Sequence, residues 1–302
     1  MGRRSMWCST MFVAVLLMAA AAAQAQESTT MEPLLFDNHF NVLYQSEDLI
    51  ERTYDGRAVS LSMIERSGSG FQSRDPYLFG QLSQKIKLPT GDSAGVVVCF
   101  YTHSMTENHD EFDFEFLGNK SGEPIILQTN IYANGKGGRE ERIELWYDPT
   151  EKFHTYTLLW NHNLVAFYVD SVPIRVLKYT PTTKKFYPNE KPMWVFTSIW
   201  NGDDWATRGG QDKVNWTYAP FVTHVKDFKL NGCVHDGKGA APECTSPLYT
   251  GTWWSTHDDL NPVEMRKLEW VREKYLTYDY CKDTARYGDT LLEQFPECRD
   301  GY

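Results

Sequence analysis

Alternation of polar and apolar residues with a period of two recurs along most of this chain. The strictest example is Glu111–Phe116 (EFDFEF), and Ala58–Met63 and Val165–Val169 also alternate. Because successive side chains of a strand point to opposite faces, this period predicts strands rather than amphipathic helices. The feature favours an all-β fold between about residues 35 and 230.

Further short apolar or alternating segments repeat between turn signals such as Ser67–Gly70, Pro89–Asp92 and Asn134-Gly135. They lie around residues 78–86, 95–101, 125–132, 143–147, 155–160, 193–199 and 221–230. Many short strands joined by turns are typical of a β-sandwich or barrel. The sequence shows no internal repeat and no alternation of strands with helices.

The N-terminus predicts export. Arg3 and Arg4 precede an apolar run from about Met11 to Ala23, and Ala23-Gln24-Ala25 fits a signal-peptide cleavage site. The run is short for a membrane anchor, and no later stretch is long and apolar enough to cross a bilayer. We therefore expect residues 1–25 to be removed and the mature protein to be soluble and secreted.

The charge balance limits the choice of partner. Loss of Arg3 and Arg4 with the signal takes the formal net charge from −10 to −12. A chain with this negative charge is a poor partner for nucleic acid or anionic lipid. We therefore expect it to bind neither nucleic acid nor a membrane, and we prefer a neutral ligand. Ten Trp, 17 Tyr and 16 Phe are many for this length. Most should lie in the core, and a few are candidates for stacking on sugars.

Cysteine usage agrees with an oxidising compartment. Cys8 leaves with the signal, and Cys99 lies in a continuous apolar run and is predicted to be a buried free thiol. Two disulfides are expected among the remaining four, for which three pairings are open: Cys233, Cys244, Cys281 and Cys298. No zinc spacing, phosphate-binding glycine loop or EF-hand pattern occurs, so we expect no metal and no cofactor. Asn119 and Asn215 head N-glycosylation sequons.

The composition changes after Gly232, and residues 231–302 are interpreted as a disulfide-stapled extension rather than an independent domain. One helix is predicted there, because Asn261, Pro262 and Glu264 form an N-terminal capping pattern. Three residues at helical spacing should then face the sandwich: Leu268, Val271 and Tyr275.

The acidic strand is a candidate site. Glu111, Asp113 and Glu115 share one face, where three like charges repel one another and stability gives no reason for them. Cleavage of a glycosidic bond needs two carboxyl groups, one to protonate the leaving oxygen and one near the anomeric carbon. The Cα atoms of the two glutamates should be about 13 Å apart, and their long side chains could lean together over a sugar. The alternative is a solvated strand face with no chemistry.

The segment His109–Asn119 closely resembles the signature of the plant xyloglucan endotransglucosylase/hydrolases of glycoside hydrolase family 16. Further blocks resemble this family in the same order and extend over essentially the whole mature chain. They are Ser67–Phe71, Leu127–Asn130, Leu145–Pro149, Phe153–Tyr156, Asp203–Gly210, Tyr275–Cys281 and Pro296–Cys298.

The resemblance implies a concanavalin-like (jelly-roll) β-sandwich with an open cleft over residues 26–230, followed by the family's C-terminal extension. It implies that Glu111 is the nucleophile, Asp113 its helper and Glu115 the acid/base. His109 shares the acidic face, and we expect it to supply a supporting hydrogen bond. The resemblance also implies sequential disulfides, Cys233 with Cys244 and Cys281 with Cys298.

The family's substrate contacts match ten positions: Gln128, Thr129, Asn130, Gly138, Arg139, Glu140, Asp204, Trp205, Gly209 and Arg286. The implied activity is retaining cleavage of the xyloglucan backbone and transfer to another xyloglucan or related glucan chain, by a monomer in the cell wall. The short loop Asn134–Arg139 favours transfer over hydrolysis. The segment Val42–Gln45 departs from the family pattern, so cellulose or mixed-linkage glucan stays open as a partner. A lectin-like binder without catalysis is the further alternative.

Overall fold

The computed structural model describes residues 33–44, 46–53, 55–236, 244 and 252–299. The expected signal peptide and its cleavage site lie outside these residues. Among the described residues, no helix combines the length and apolar character that a membrane crossing needs.

Two antiparallel sheets form the fold. One has eight strands in the order β1-β4-β13-β6-β7-β8-β9-β15, and the other has seven in the order β12-β11-β10-β5-β14-β3-β2. The strands are β1 Phe40–Val42, β2 Ile50–Arg52, β3 Ala58–Met63, β4 Ser69–Ser73, β5 Tyr77–Lys87, β6 Val96–His103, β7 Glu111–Leu117, β8 Ile126–Tyr132, β9 Glu141–Glu144, β10 His154–Trp160, β11 Leu164–Val169, β12 Val172–Lys178, β13 Trp194–Asn201, β14 Phe221–Val234 and β15 Leu276–Asp279. The predicted jelly-roll sandwich is confirmed.

The core lies between the two sheets, and β7 shows why. Phe112, Phe114 and Phe116 are each 1% exposed. Phe112 contacts Trp160, and Phe114 contacts Phe167, both on the opposing sheet. Burial of one such ring stabilises the fold by about 1.5–3 kcal/mol. The alternating acids of β7 must therefore point away from the second sheet, onto what we call the outer face of the eight-stranded sheet.

The turn predicted at Ser67–Gly70 is shorter in the structure. A tight turn joins Ile64 to Ser67, but Ser69 and Gly70 already belong to β4. A Cβ on Gly70 would lie 2.9 Å from the carbonyl oxygen of Thr197 on the neighbouring strand. Gly70 therefore serves close strand approach and does not mark a turn. The Asn134-Gly135 turn is confirmed, with both residues at positive φ.

The C-terminal residues contribute to the sandwich. Helix α3 spans Pro262–Lys274 with the predicted capping box, and it buries Leu268 and Val271. The other α-helices of the described residues have four residues each: α1 Phe36–His39, α2 Trp253–Thr256, α4 Thr284–Tyr287 and α5 Leu291–Gln294. Strand β15 pairs with β9 and so extends the eight-stranded sheet. The boundary expected at residue 230 falls inside β14.

The sulfur chemistry agrees with expectation. The structure contains the disulfides Cys233–Cys244 and Cys281–Cys298. Cys99 is a buried free thiol on β6. The first disulfide starts from Cys233, near the C-terminal end of β14 in the seven-stranded sheet. The second encloses the segment that carries α4 and α5.

Candidate active site

Strand pairing arranges polar side chains in three rows across the outer face. Each acid of β7 has one neighbour on β6 and one on β8. Glu111 lies between His103 and Tyr132, Asp113 between Tyr101 and Asn130, and Glu115 between Cys99 and Gln128. The sheet register thus brings the three predicted catalytic carboxyl groups together with a fixed set of partners.

Asp113 is the most enclosed of the three acids, at 5% exposure. Burial, followed by the charges of Glu111 and Glu115, raises the pKa of Asp113 well above its ordinary value. Its carboxyl is hydrogen-bonded to Glu111. A protonated Asp113 therefore donates to Glu111. Burial raises the pKa of Glu111, and this hydrogen bond opposes the rise.

Glu115 is suited to hold a proton near neutral pH. Burial raises its pKa to about 7, against the opposing effect of a hydrogen bond from Gln128. Gln128 Nε2 donates to Glu115 Oε2 over 2.7 Å, and Arg142 Nε donates to Gln128 Oε1 over 2.8 Å. This chain of donors fixes the orientation of the Glu115 carboxyl.

Two imidazoles flank Glu111. Nε2 of His109 is 3.4 Å from Glu111 Oε2, and Nε2 of His103 is 3.5 Å from the same oxygen. The two rings stack with centroids 4.5 Å apart. His109 therefore lies where it can support Glu111, as expected, and His103 lies at a similar distance from the same carboxylate oxygen.

The predicted strand Gln128–Asn130 divides between two faces. Gln128 and Asn130 lie on the outer face beside Glu115 and Asp113. Thr129 is fully buried on the core side, where its Oγ1 accepts a hydrogen bond from Arg175 over 3.0 Å. The Thr129 side chain therefore faces the core, as the period-two rule requires, and a contact of this residue with substrate stays a prediction.

The side chains of the turn Gly138–Glu140 also point in different directions, some into the interior and some toward the site. Arg139 is 3% exposed, pairs with Glu297 over 2.7 Å and packs against the ring of Phe295. Its guanidinium is buried in this pair, and a contact of Arg139 with substrate stays a prediction. Gly138, at positive φ, offers its carbonyl to the hydroxyl of Tyr287.

Glu140 remains near the site. Its negative charge raises the pKa of Glu115. Arg286 NH1 donates to Glu140 Oε2 over 2.8 Å, and the Arg286 side chain is 48% exposed. The expected arginine of the extension therefore reaches the outer face through Glu140.

The loop after β13 supplies the other expected residues. The side chain of Asp204 is 96% exposed, and Gly209 has φ +67°. Trp205 is half-buried, with its ring 6.1 Å from that of Trp200. Trp200 Nε1 donates to Cys99 Sγ over 3.3 Å. Trp205 of this loop therefore belongs to the side-chain cluster that contains Cys99, which pairs with Glu115 in the sheet register.

Sequence reasoning missed His103, Arg142 and Trp200. Each reaches the site through pairing with another strand rather than through a motif of its own. Strand alternation could have shown which sheet face His103 and Trp200 lie on. The register that places them beside the acids is set by the pairing of the strands.

The two sequons lie on surface segments. Asn119 is half-buried, and its Nδ2 donates to the carbonyl oxygen of Pro124. Asn215 is exposed and caps a short 3₁₀ turn. Glycosylation at either remains a prediction.

The arrangement provides two carboxyl groups in different states. Glu111 is surrounded by hydrogen-bond donors and can act as a carboxylate. Glu115 has a pKa of about 7 and can hold a proton up to that pH. A third, protonated acid lies between them. Such a set suits acid/base and nucleophilic chemistry at an acetal centre.

The comparisons with known proteins agree with this chemistry. The sequence profile described as "Glycosyl hydrolases family 16" matches residues 36–218, and that described as "Xyloglucan endo-transglycosylase (XET) C-terminus" matches residues 250–298. The probable xyloglucan endotransglucosylase/hydrolase protein 7 of Arabidopsis thaliana is 47% identical over 272 residues, which are 89% of each chain. The xyloglucan endotransglucosylase protein 34 of Populus tremula x Populus tremuloides is 41% identical over 96% of each chain.

Among solved structures, Bacillus licheniformis β-glucanase is similar with a TM-score of 0.53 and 22% identity. The match covers 66% of this chain and 96% of the glucanase. At this identity the likeness concerns the fold alone.

Proposed function

The chain belongs to glycosyl hydrolase family 16 and, within it, to the xyloglucan endotransglucosylase/hydrolases, and we propose that it remodels xyloglucan by retaining transglycosylation. The donor is xyloglucan, cleaved at its β-1,4-glucan backbone, and the acceptor is another xyloglucan or a related glucan chain. The observation that carries the proposal is the row Glu111-Asp113-Glu115 on the outer face, with a different set of partners at each end.

The first half-reaction forms a glycosyl-enzyme. An oxygen of Glu111 attacks the anomeric carbon as the glycosidic bond breaks, and Glu115 gives its proton to the leaving oxygen. Asp113 keeps its own proton and holds Glu111 through the hydrogen bond between them. One C–O bond forms, one breaks, and Glu115 becomes a carboxylate.

The second half-reaction releases Glu111. A hydroxyl of an acceptor sugar attacks the anomeric carbon and gives its proton to Glu115 as the bond to Glu111 breaks. Two inversions restore the starting configuration. Water can replace the acceptor, so the ratio of transfer to hydrolysis depends on how well the protein holds an acceptor.

The outer face supports binding of an acceptor beyond Glu115. We expect an acceptor there to contact the hydrogen-bonded pair Glu140–Arg286 and also Trp205, whose ring lies near that of Trp200. The connection between β8 and β9 contains only a tight turn from Ala133 to Lys136 and a short segment after it. A short connection leaves the acceptor side open, which favours transfer over hydrolysis.

Tyr44 supports a donor site on the other side of the acids. Its side chain is 64% exposed at φ +59°, and it contributes to raising the pKa of Tyr101, after the larger effect of burial. Tyr101 in turn lies beside Asp113. We propose that Tyr44 stacks on a donor sugar.

The place of action follows from the sequence. A removable signal, two disulfides and two sequons support a secreted protein that carries N-glycans and works on the cell wall. We propose that it acts as a monomer. No cofactor is needed for this chemistry.

Product analysis tests the proposal. Xyloglucan is incubated with the protein, with and without labelled oligosaccharides of xyloglucan, cellulose or mixed-linkage glucan. Label in long products with the xyloglucan acceptor is expected. Short products alone would favour a hydrolase, label with another acceptor would favour a hetero-transglucosylase, and binding without any product would favour a lectin-like role.

A further inference from the structure

His103 ends β6 and lies directly opposite Glu111 in the sheet register. Its side chain is 25% exposed, and that of Glu111 is 19% exposed. The imidazole is confined by the stacked ring of His109 and by the edge of Phe196. Its position beside the nucleophile is therefore fixed by packing as well as by the backbone.

The hairpin after β6 sets the protonation of this ring. The backbone N–H of Met105 donates to His103 Nδ1 over 2.9 Å. Met105 has φ +53°, a left-handed backbone conformation that is unfavourable for a residue with a Cβ. Ser104 holds the hairpin, because its Oγ accepts from the N–H of Asp110 and its N–H donates to the Asp110 carbonyl. An accepting Nδ1 leaves the single proton of the neutral ring on Nε2.

The ring is neutral for two reasons. Burial, followed by the neighbouring His109, lowers the pKa of His103. Protonation would also remove the lone pair that accepts from Met105. The ionisable groups facing the ring are Glu111, from β7, and His109, from the loop before it.

The same geometry argues against a metal ion. Ligand atoms of His103, His109 and Glu111 lie within 4.8 Å of one another, a spacing that could hold one. Coordination through Nε2 of His103 would need that nitrogen's lone pair, and then Nδ1 would carry the proton. Nδ1 accepts from Met105 instead, so the proton lies on Nε2, the nitrogen 3.5 Å from the Glu111 carboxylate.

We propose that His103 is a positioning residue that donates through Nε2–H to the carboxylate of Glu111 and holds it ionised for attack. This role rests on the proposed function. The present separation of 3.5 Å is expected to shorten when substrate fills the site. The donor also assists the second half-reaction, in which Glu111 regains its negative charge as it leaves the anomeric carbon.

Two substitutions separate the two ring nitrogens. In His103→Asn, the amide oxygen can replace Nδ1 and accept from Met105, but nothing remains at Nε2. In His103→Gln, the amide nitrogen reaches the position of Nε2 and can donate to Glu111. His224→Asn is the matched control, because His224 is also a half-buried histidine with a lowered pKa but lies on β14 in the other sheet.

Kinetics are measured across pH for hydrolysis and transfer, with thermal unfolding of each variant. We expect His103→Asn to lower kcat about tenfold with little change in KM, and to move the acidic limb of kcat/KM upward by about one pH unit. His103→Gln should recover most of both effects, and His224→Asn should show neither. Acidic limbs equal to wild type in both His103 variants, or equal losses in both, would overturn the proposal.

Measurements on the intact wild-type protein complete the test even if a variant fails to fold. The ¹⁵N shifts of the His103 ring should show a neutral ring with the proton on Nε2 throughout the active pH range. The other tautomer, a cationic ring, or stoichiometric Zn²⁺ binding would overturn the assignment. Wild-type protein without activity on any glucan would instead reject the proposed function.

Discussion

At the scale of single residues, chemically identical side chains differ because of their neighbours. Glu111 receives a proton-bearing partner in Asp113 and faces two imidazole nitrogens. Glu115 faces one amide donor, and its pKa rises to about 7 through burial. The sequence identified the three acids by alternation and resemblance, but the difference in their surroundings requires the sheet.

The first prediction separates the two glutamates. Glu111→Ala should abolish transfer and hydrolysis, because no glycosyl-enzyme can form. Glu115→Ala should be nearly inactive on xyloglucan, whose leaving group needs a proton. With a β-glycosyl fluoride that leaves without acid help, Glu115→Ala should still form the intermediate, and azide should capture it as a β-azide.

The configuration of the azide is read by NMR. Wild-type protein with the same fluoride is the control, and its product should carry acceptor sugar or water in place of azide. An α-azide formed by the Glu111 variant would reverse the assigned roles.

The second prediction concerns pH. Glu115 has an ordinary pKa of 4.5 and a pKa of about 7 in the folded protein. Because folding favours the neutral form, its contribution to stability is fully present below pH 4.5 and is lost as pH rises through 7. Glu115→Gln, which stays neutral, should therefore gain several degrees of Tm over wild type at pH 8 and almost none at pH 4. Wild-type activity should fall over the same range, because the acid loses its proton.

Thermal scans at pH 4, 6 and 8 measure the difference, and Glu144→Gln, at an exposed position on β9, serves as control. Parallel curves for wild type and Glu115→Gln would show that this carboxyl has no raised pKa.

At the scale of elements, a strand can be predicted from the sequence when its own residues carry a polar–apolar alternation. Strands with their own alternation, such as β3 and β7, were predicted with nearly correct bounds. Strand β15 was missed, because four residues next to a helix carry too little pattern and are held by pairing with β9. The role of Arg142 could not be predicted for the same reason, because it acts on Glu115 through Gln128 on the neighbouring strand.

The third prediction concerns the buried pair Arg139–Glu297, which joins the β8–β9 connection to the C-terminal turn. Loss of one partner leaves a buried charge without compensation and should cost about 3–5 kcal/mol of unfolding free energy. Arg139→Gln and Glu297→Gln should therefore destabilise the protein by similar amounts, although only Arg139 matches a substrate position by resemblance.

Denaturant unfolding of both single variants and the double variant measures the coupling. Arg286→Gln is the matched control, because that exposed arginine should affect acceptor use and barely alter stability. A higher KM for Arg139→Gln at unchanged stability would place this side chain in the substrate site.

At the scale of the whole molecule, the extension and the sandwich share one sheet. Strand β15 adds to the edge formed by β9, and Arg272 of α3 pairs with both Glu141 and Asp279. Beyond β15, the segment that carries Arg286 is closed by the disulfide Cys281–Cys298. This disulfide, together with the pair Arg139–Glu297, therefore holds the segment that carries Arg286 against the β8–β9 connection.

The last prediction removes each disulfide as a pair, so that no unpaired thiol remains. Replacing both Cys281 and Cys298 by Ser should cost about 2–4 kcal/mol, as expected for loss of a loop of this length. It should also lower the ratio of transfer to hydrolysis, because Arg286 and Glu140 would lose their fixed geometry while Glu111 and Glu115 keep theirs. Replacing Cys233 and Cys244 should lower Tm without altering this ratio, since Cys233 lies in β14, in the other sheet. Equal ratios in both double variants, at a temperature where both are folded, would show that the extension does not hold the acceptor.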